Sequence, residues 1–268
     1  MQTVQATQLI PLSVSARSQL IAEYASVVNV PAELNSDLHH AYQIAAVLTP
    51  ALSGFIQHQI QVDIAQGSVL ESDRQSAAIA TECEQFADRF IATMPTLVRS
   101  PEEMELNPRN LYELCGAAVF VESNSISRKL SRPMGDLWET IANISPYTVS
   151  PEKDFGLKIT GIDSVLLCEG TGSPVFVQIK TQRNTLTGSQ APRSRNELGV
   201  HTHALFAAAF CTGENWTFSR RNTNISRVCG AEFWSMAGLD YELLKFHVKQ
   251  MILKIQSAYV ELQQEPPI

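Results

Sequence analysis

Several patterns that would assign a function at once are missing from this sequence of 268 residues. It has no apolar run of 18 or more residues, so no membrane span is predicted. The first twenty residues lack a basic stretch followed by an apolar one, so we predict no secretory signal and expect a cytoplasmic location. Gly-x-Ser-x-Gly and Walker-type loops are also missing, so the chemistry of neither motif is predicted.

Cysteine is sparse and shows no metal-binding pattern. The five cysteines are scattered, odd in number and free of any Cys-x-x-Cys motif, which favours free thiols in a cytosolic protein. His201 and His203 with Cys211 fit no zinc spacing. The adjacent His39 and His40 point to different faces of a predicted helix, so we do not expect them to bind a metal together.

The charge is unevenly distributed along the chain. The net charge is −7, yet residues 128–228 carry 12 Lys or Arg against 8 Asp or Glu. Residues 1–127 have the opposite balance, with 5 basic against 14 acidic side chains. A basic segment within an acidic protein is either a nucleic-acid-binding surface or a chance cluster on a solvated surface.

The order of periodic segments predicts an α/β (α+β) fold with two parts. Residues 1–105 are predicted to form a helical region, with a break at Pro50. Residues 106–268 are predicted to form helices, with an interruption or restart at Pro133, then a β-hairpin, a helix, further strands and a long helix. This order indicates a mixed central sheet flanked by helices.

The predicted hairpin carries polar groups in apolar strands. Asp163 lies in "TGIDSVLL", and Gln178 and Lys180 lie in "VFVQIK" on the paired strand. Side chains two residues apart share one face of a strand, so this hairpin would present a carboxylate, an amide and an ammonium together. Asp163 and the backbone carbonyl of Ile179 are suitable oxygen ligands for Mg²⁺. Lys180 would orient a water or neutralise charge on a phosphate.

Each of these residues also has a simpler interpretation. Asp163 would cap the turn after Gly161, Lys180 would keep an edge strand charged, and Gln178 would be an ordinary surface residue. The combination is harder to explain in this way, because all three fall where one site would need them.

Asp163 followed by "QIK" resembles the motif of the PD-(D/E)XK nuclease superfamily, and the flanking stretches "NTLTGSQ" and "CGAEFWSMAG" resemble type II restriction endonucleases. The resemblance covers roughly residues 110–262. It implies a restriction-endonuclease-like core, Mg²⁺ as cofactor, hydrolysis of double-stranded DNA at a specific sequence, and a homodimer that cuts both strands. Residues 1–105 would then supply a dimer surface or a DNA clamp.

One departure from the motif leaves a carboxylate to be found. Gln178 stands where the family has Asp or Glu, and an amide is a weaker ligand for a hard cation. The resemblance implies two replacements. Glu139, on the helix before the hairpin, is favoured as catalytic residue and metal ligand, and Glu197, at the start of the following helix, is the alternative acid. Asp136 is close enough in sequence to be confused with Glu139.

The polar loops after the hairpin are predicted to contact DNA. They combine arginines, which suit phosphates and guanine, with amides and hydroxyls that suit base edges. Two other functions stay open: a repair nuclease that recognises DNA structure, and a DNA-binding protein that has lost catalysis. The predicted DNA-binding residues are Arg183, Asn184, Thr185, Thr187, Ser189, Gln190, Arg193, Arg195, Arg220, Arg221, Asn222 and Asn224.

Overall fold

A computed structural model describes residues 3–97, 106–168, 172–219 and 224–264. The chain forms two compact units, each built from two chain segments. The first comprises residues 1–75 and 138–241, and the second comprises residues 76–137 and 242–268. Part of the predicted N-terminal helical region therefore folds with the sheet. The separate roles predicted for residues 1–105 and 106–268 stay a prediction.

The described elements are ten α-helices and five strands. Short 3-10 turns cover Ser36–Leu38 and Met94–Thr96. In chain order the elements are α1 (Ala6–Leu9), α2 (Val14–Ser26), α3 (His39–Ala65), α4 (Ser72–Thr93), α5 (Leu111–Leu114), α6 (Ala118–Ala142), β1 (Thr148–Val149), α7 (Pro151–Phe155), β2 (Ser164–Leu167), β3 (Pro174–Gln182), α8 (Gln190–Gly199), β4 (Ala204–Phe210), β5 (Ile225–Cys229), α9 (Ala231–Met236) and α10 (Tyr241–Gln264).

The five strands form one mixed sheet in the order β1-β2-β3-β4-β5. The first three are antiparallel neighbours, whereas β3, β4 and β5 run parallel. The predicted hairpin is confirmed, with Ser164 opposite Val177 and Leu167 opposite Pro174. Helix α8 provides the crossover that two parallel strands require. β3 is therefore the central strand, with a partner on each side.

Helices pack on both faces of this sheet within the first unit. Phe176 of β3 and Phe206 of β4 join the apolar cluster that includes the buried side of α3. On the other face the indole of Trp138 donates to the hydroxyl of Thr181, and the indole of Trp234 donates to the carbonyl of Ala209. The α/β class, with a mixed sheet between helices and a helical N-terminal part, is confirmed.

The two predicted interruptions at proline are wrong. α3 runs continuously through Pro50, and α6 runs continuously through Pro133. A proline inside a helix removes one backbone hydrogen bond, and burial on either side offsets that loss. Around Pro50 this burial is extensive, because Leu48, Ala51 and Leu52 have no exposed surface.

The second unit contains most of α4 and α10. The helical spacing of Ile79, Cys83, Phe86 and Phe90 predicts one apolar face for α4, and the burial of all four confirms it. No helix among the described residues is long and apolar enough to cross a membrane.

The prediction that all five cysteines are free is wrong for one pair. Cys211 and Cys229 form a disulfide, with their Cα atoms 5.1 Å apart. Cys211 follows the last residue of β4. Cys229 is the last residue of β5, where it lies opposite Ala208 of β4. The parallel register brings the two together across 18 residues of sequence, and no local motif signals such a contact. Cys83, Cys115 and Cys168 are free thiols.

Candidate active site

Asp163 immediately precedes strand β2 and lies against the backbone of β3. The N–H of Asp163 donates to the carbonyl of Val177, which continues the ladder one residue beyond the strand. Its Oδ2 accepts a hydrogen bond of 2.6 Å from the N–H of Ile179. The predicted role of Asp163 as a cap of the turn after Gly161 is therefore wrong. The carboxylate substitutes for a strand partner that β2 no longer provides.

Ile179 directs its backbone toward the same point. Its N–H points to the β2 side of the strand, as the hydrogen bond to Asp163 requires. The N–H and C=O of one residue in a strand point to the same side. The carbonyl of Ile179, predicted as a metal ligand, therefore lies on the Asp163 side of β3.

Gln178 and Lys180 lie two residues apart on the central strand, opposite Phe206 and Ala208 of β4. Gln178 is only 4% exposed, so it is not the surface residue of the simpler interpretation. Strand β3 extends beyond its last β2 partner, which is Ser164 opposite Val177, so at Lys180 it pairs with β4 alone. The simpler interpretation, in which Lys180 keeps an edge charged, stays a prediction.

These side chains line one open cavity of about 430 Å³. It combines the three motif residues with groups from the following loop and from α8. The cavity is lined by Gly161, Asp163, Gln178, Lys180, Thr185, Leu186, Gln190, Arg193, Ser194 and Glu197.

Glu197 reaches this cavity from helix α8 and is held by two donors. Its Oε1 accepts from Nε of Arg193 at 2.7 Å, one helical turn earlier. Its Oε2 accepts from Nε2 of Gln178 at 3.4 Å. Gln178 and the alternative acid Glu197 are thus direct neighbours. Glu197 is buried, so the ion pair and the amide offset the cost of taking its charge out of water.

Glu139 meets Asp163 as well, through a hydrogen bond between their side chains. Two carboxyl groups in contact share a proton, because both cannot carry a full charge at that distance. Burial raises the pKa of Asp163 above its ordinary range. Lys180, the N–H of Ile179 and Glu139 act to lower that pKa, and Glu197 acts to raise it. The structure therefore brings both candidate acids to Asp163.

The donor atoms present fit a hard divalent cation. Carboxylates, a side-chain amide oxygen and a backbone carbonyl are the ligand types that Mg²⁺ accepts. Oε1 of Gln178 is buried and accepts no hydrogen bond from any described residue, so it is a free acceptor beside Asp163 and Glu197. Within the described residues, no three His, Cys, Asp or Glu side chains are already arranged to hold a metal ion.

A glycine allows Glu197 to approach the start of β2. Gly161 has φ of +76°, and a Cβ atom there would lie 2.5 Å from Oε2 of Glu197 and 2.6 Å from its Cβ. Any other residue would strain the backbone and displace the carboxylate. The "TGID" stretch therefore contributes a turn and the space for Glu197 as well as Asp163.

The predicted DNA-binding residues fall into two groups. Thr185, Gln190 and Arg193 are exposed and line the cavity. Asn184, Thr187 and Ser189 are exposed on the same loop.

Other predicted DNA-binding residues contact their own chain instead. The guanidinium of Arg183 donates to the carbonyls of Thr212 and Gly213. Arg195 donates to the hydroxyl of Ser219 at 2.7 Å and lies over the ring of Phe218. Asn224 donates to the carbonyl of His201 at 2.7 Å. Arg220, Arg221 and Asn222 lie outside the described residues.

The contacts of Arg183 join two loops beside the cavity. The N–H of Leu186 donates to the hydroxyl of Thr217, and the N–H of Thr217 donates to the carbonyl of Arg183. Residues 183–187 and 212–219 thus support each other, and the disulfide closes the chain around the second loop. The basic and polar loops are therefore built as one surface.

Sequence reasoning missed the link from Arg193 through Glu197 to Gln178. A weak signal for it exists, because Arg193 and Glu197 are four residues apart on a predicted helix and so lie on one face. The contact with Gln178 depends on the packing of α8 against β3 and has no local signal.

Comparisons with known proteins do not identify a function. No protein-family model and no curated protein sequence matches the chain. A solved structure of metal-depleted Ecl18kI in complex with uncleaved DNA aligns with 93% of this chain and 95% of its own, at 14% identity and a TM-score of 0.31. The functional argument therefore depends on the site itself.

Proposed function

We propose that this protein is a Mg²⁺-dependent endonuclease for double-stranded DNA, of the PD-(D/E)XK type. One observation carries the proposal: Asp163, Gln178 and Lys180, from two paired strands, open into one cavity that also receives Glu197 from α8. An acid, a lysine and a displaced second acid beside one cavity are the parts that phosphodiester hydrolysis needs.

Asp163 and Glu197 would hold the metal, with Oε1 of Gln178 and the carbonyl of Ile179 as further oxygen donors. Bound Mg²⁺ would polarise a phosphoryl oxygen and make a bound water more acidic. The resemblance to known nucleases favoured Glu139 as the replacement acid. The contact between Gln178 and Glu197 favours Glu197, because the amide that takes the acid's position holds this carboxylate directly. Glu139 would then act through its hydrogen bond to Asp163.

Lys180 would orient the attacking water and neutralise charge that develops on the phosphate. It lies on the same strand face as Gln178, and its charge acts on Asp163. Strand β3 fixes the spacing of the reacting groups, since it pairs with β4 on one side and the carboxylate of Asp163 accepts the N–H of Ile179 on the other.

The finer proposal is a type II restriction enzyme that acts as a homodimer in the cytoplasm. The exposed loop of Thr185, Thr187 and Gln190 beside the cavity supports readout of base edges. Cutting both strands at a symmetric sequence calls for two copies related by a two-fold axis.

The test is to incubate the protein with plasmid DNA and Mg²⁺, with EDTA as control. Discrete, reproducible fragments are expected. Cutting only at branches or flaps would indicate the repair nuclease instead. Retention of DNA without cutting, in Mg²⁺ or Mn²⁺, would indicate the protein with lost catalysis.

A further inference from the structure

The pairing of Arg193 with Glu197 is unequal in exposure. The Arg193 side chain is 76% exposed, whereas that of Glu197 is 7% exposed. The two groups are held at 2.7 Å, at the wall of the cavity where DNA would bind. The hydrogen bond and charge of Glu197 raise the pKa of Arg193, with a further contribution from Asp37. The exposed guanidinium of Arg193 thus pairs with the buried carboxylate of Glu197.

This pairing occupies Glu197 in the protein without DNA. One of its oxygens accepts from Arg193 and the other from Gln178. Mg²⁺ needs oxygen ligands in near-octahedral geometry, so the guanidinium and the amide compete with it for the lone pairs of this carboxylate.

Arg193 has an alternative partner once DNA is present. Guanidinium groups bind phosphate through paired hydrogen bonds that match its geometry. The buried Glu197 needs a cation when Arg193 leaves it for a phosphate, and a metal ion that binds at the same time supplies that charge. Arg193 lines the cavity together with Thr185 and Gln190. Lys180 lines the same cavity, so a DNA phosphate bound near Lys180 would lie on the same wall as Arg193.

We propose that Arg193 is a positioning residue that exchanges Glu197 for a DNA phosphate, and that this exchange releases Glu197 to bind the metal. The inference rests on the proposed nuclease function. DNA and metal then bind cooperatively, and by linkage each raises the affinity for the other by the same factor. The metal site is completed only when the substrate is in place.

The first test measures metal binding by the protein alone, by calorimetric titration with Mn²⁺ or Mg²⁺ in the absence of DNA. Arg193→Gln frees Glu197, so we expect metal affinity to rise about fivefold or more. The matched control is Arg195→Gln, which removes the same charge from the same helix but contacts Ser219 instead of Glu197, and should leave metal affinity unchanged. The double variant Arg193→Gln/Glu197→Gln should lose the gain.

Equal metal affinity for the wild type and Arg193→Gln would overturn the inference. An equal gain in Arg195→Gln would overturn it too, since the effect would then be general charge. A gain that survives in the double variant would exclude Glu197 as the released ligand. Thermal denaturation of each variant checks the fold, and Arg193→Gln should lower the melting temperature because it leaves the buried Glu197 without its cation.

The second test measures affinity for a DNA duplex by fluorescence anisotropy without metal, at several salt concentrations. Arg193→Gln should weaken binding and lower the slope of log K against log salt by about one, as expected for one lost phosphate contact. An unchanged slope would overturn the exchange. Plasmid cleavage by the wild type tests the nuclease function separately: if it fails while both results above hold, the endonuclease is rejected and the Arg193 exchange is retained.

Discussion

Gln178 donates a hydrogen bond from Nε2 to Oε2 of Glu197 across 3.4 Å, so the amide in the position of the motif acid contacts a carboxylate from the next helix. In the proposed site, the second acid would come from helix α8 instead of strand β3. Oε1 of Gln178 accepts no hydrogen bond from the described residues.

The two candidate acids are separated by Glu197→Gln and Glu139→Gln. We expect Glu197→Gln to lower cleavage and metal affinity by at least about tenfold, because a proposed ligand is lost. Glu139→Gln should lower cleavage and metal affinity less, since Glu139 is proposed to act only through its hydrogen bond to Asp163. Glu152→Gln, at an exposed position of α7, is the control. Plasmid cleavage and metal titration are the measurements, and a larger loss for Glu139→Gln would make Glu139 the replacement acid.

Lys180→Ala should reduce plasmid cleavage by about 10² to 10⁴-fold, the range for loss of a group that assists proton transfer. Single-turnover cleavage in Mg²⁺ measures the step directly. Lys158→Ala removes an exposed lysine of the same unit and should cut as the wild type does. If Lys180→Ala cuts at an undiminished rate, Lys180 takes no part in the reaction.

Gly161→Ala should destabilise the protein by about 1–2 kcal/mol or more, because φ is +76° and the new Cβ meets Glu197. The comparison is Gly135→Ala, where a Cβ meets nothing within 4 Å inside helix α6. That variant should gain about 0.5–1 kcal/mol from helix propensity. Urea unfolding measures both. Equal effects in the two variants would mean that Gly161 has no special conformation in solution.

His201 should make stability depend on acid pH. Its ring stacks on Phe176 with centroids 4.1 Å apart, and neither ring nitrogen bonds to a described residue. Burial lowers its pKa from 6.5 to about 3. The unfolded chain therefore binds the proton first, so the stabilisation is complete above pH 6.5 and is lost as pH falls toward 3.

The slope from this one group is up to about 1.4 kcal/mol per pH unit between pH 6 and 4. Urea unfolding of the wild type and of His201→Phe at several pH values measures it. The variant should show the shallower slope, because other acidic groups contribute equally to both proteins. Identical slopes would contradict a buried, neutral His201.

The disulfide predicts that only three of five cysteines react with an alkylating reagent after unfolding without reductant. Mass spectrometry counts the labels. In the native protein Cys83 should react slowest, since burial raises the pKa of its thiol to about 12. Replacing Cys211 and Cys229 by serine should cost about 3 kcal/mol through loop closure. Labelling of all five would show that the pair is reduced.

The sequence was sufficient for the features that depend on local pattern. The hairpin follows from the β-branched residues in the two segments that contain Asp163 and Lys180. The buried face of α4 follows from the spacing of Ile79 and Phe86. The prediction failed where burial opposes local preference. Pro50 sits inside a continuous helix because its neighbours are buried, and this burial is a property of the whole unit.

Contacts between distant residues were the other limit. The meeting of Glu139 with Asp163 depends on how α6 packs beside the hairpin, and the pairing of Cys211 with Cys229 depends on the parallel register of β4 and β5. Neither follows from spacing. The motif could therefore predict which residues of the hairpin line the candidate site, and it could not choose between Glu139 and Glu197 as the second acid.

The proposed site has two parts with different conformational freedom: the backbone of strand β3 and the exposed side chains of the loop that follows it. Gln178, Ile179 and Lys180 lose their backbone freedom on folding, because β4 pairs with them on one side and Asp163 accepts the N–H of Ile179 on the other. The conformational entropy needed for catalytic geometry is thus spent before any substrate arrives. Backbone hydrogen bonds tie the loop after β3 to residues 212–219, whereas its exposed side chains become ordered only when a ligand binds. In the proposed nuclease, variation of these side chains would alter which DNA sequence is recognised without loosening the reacting groups.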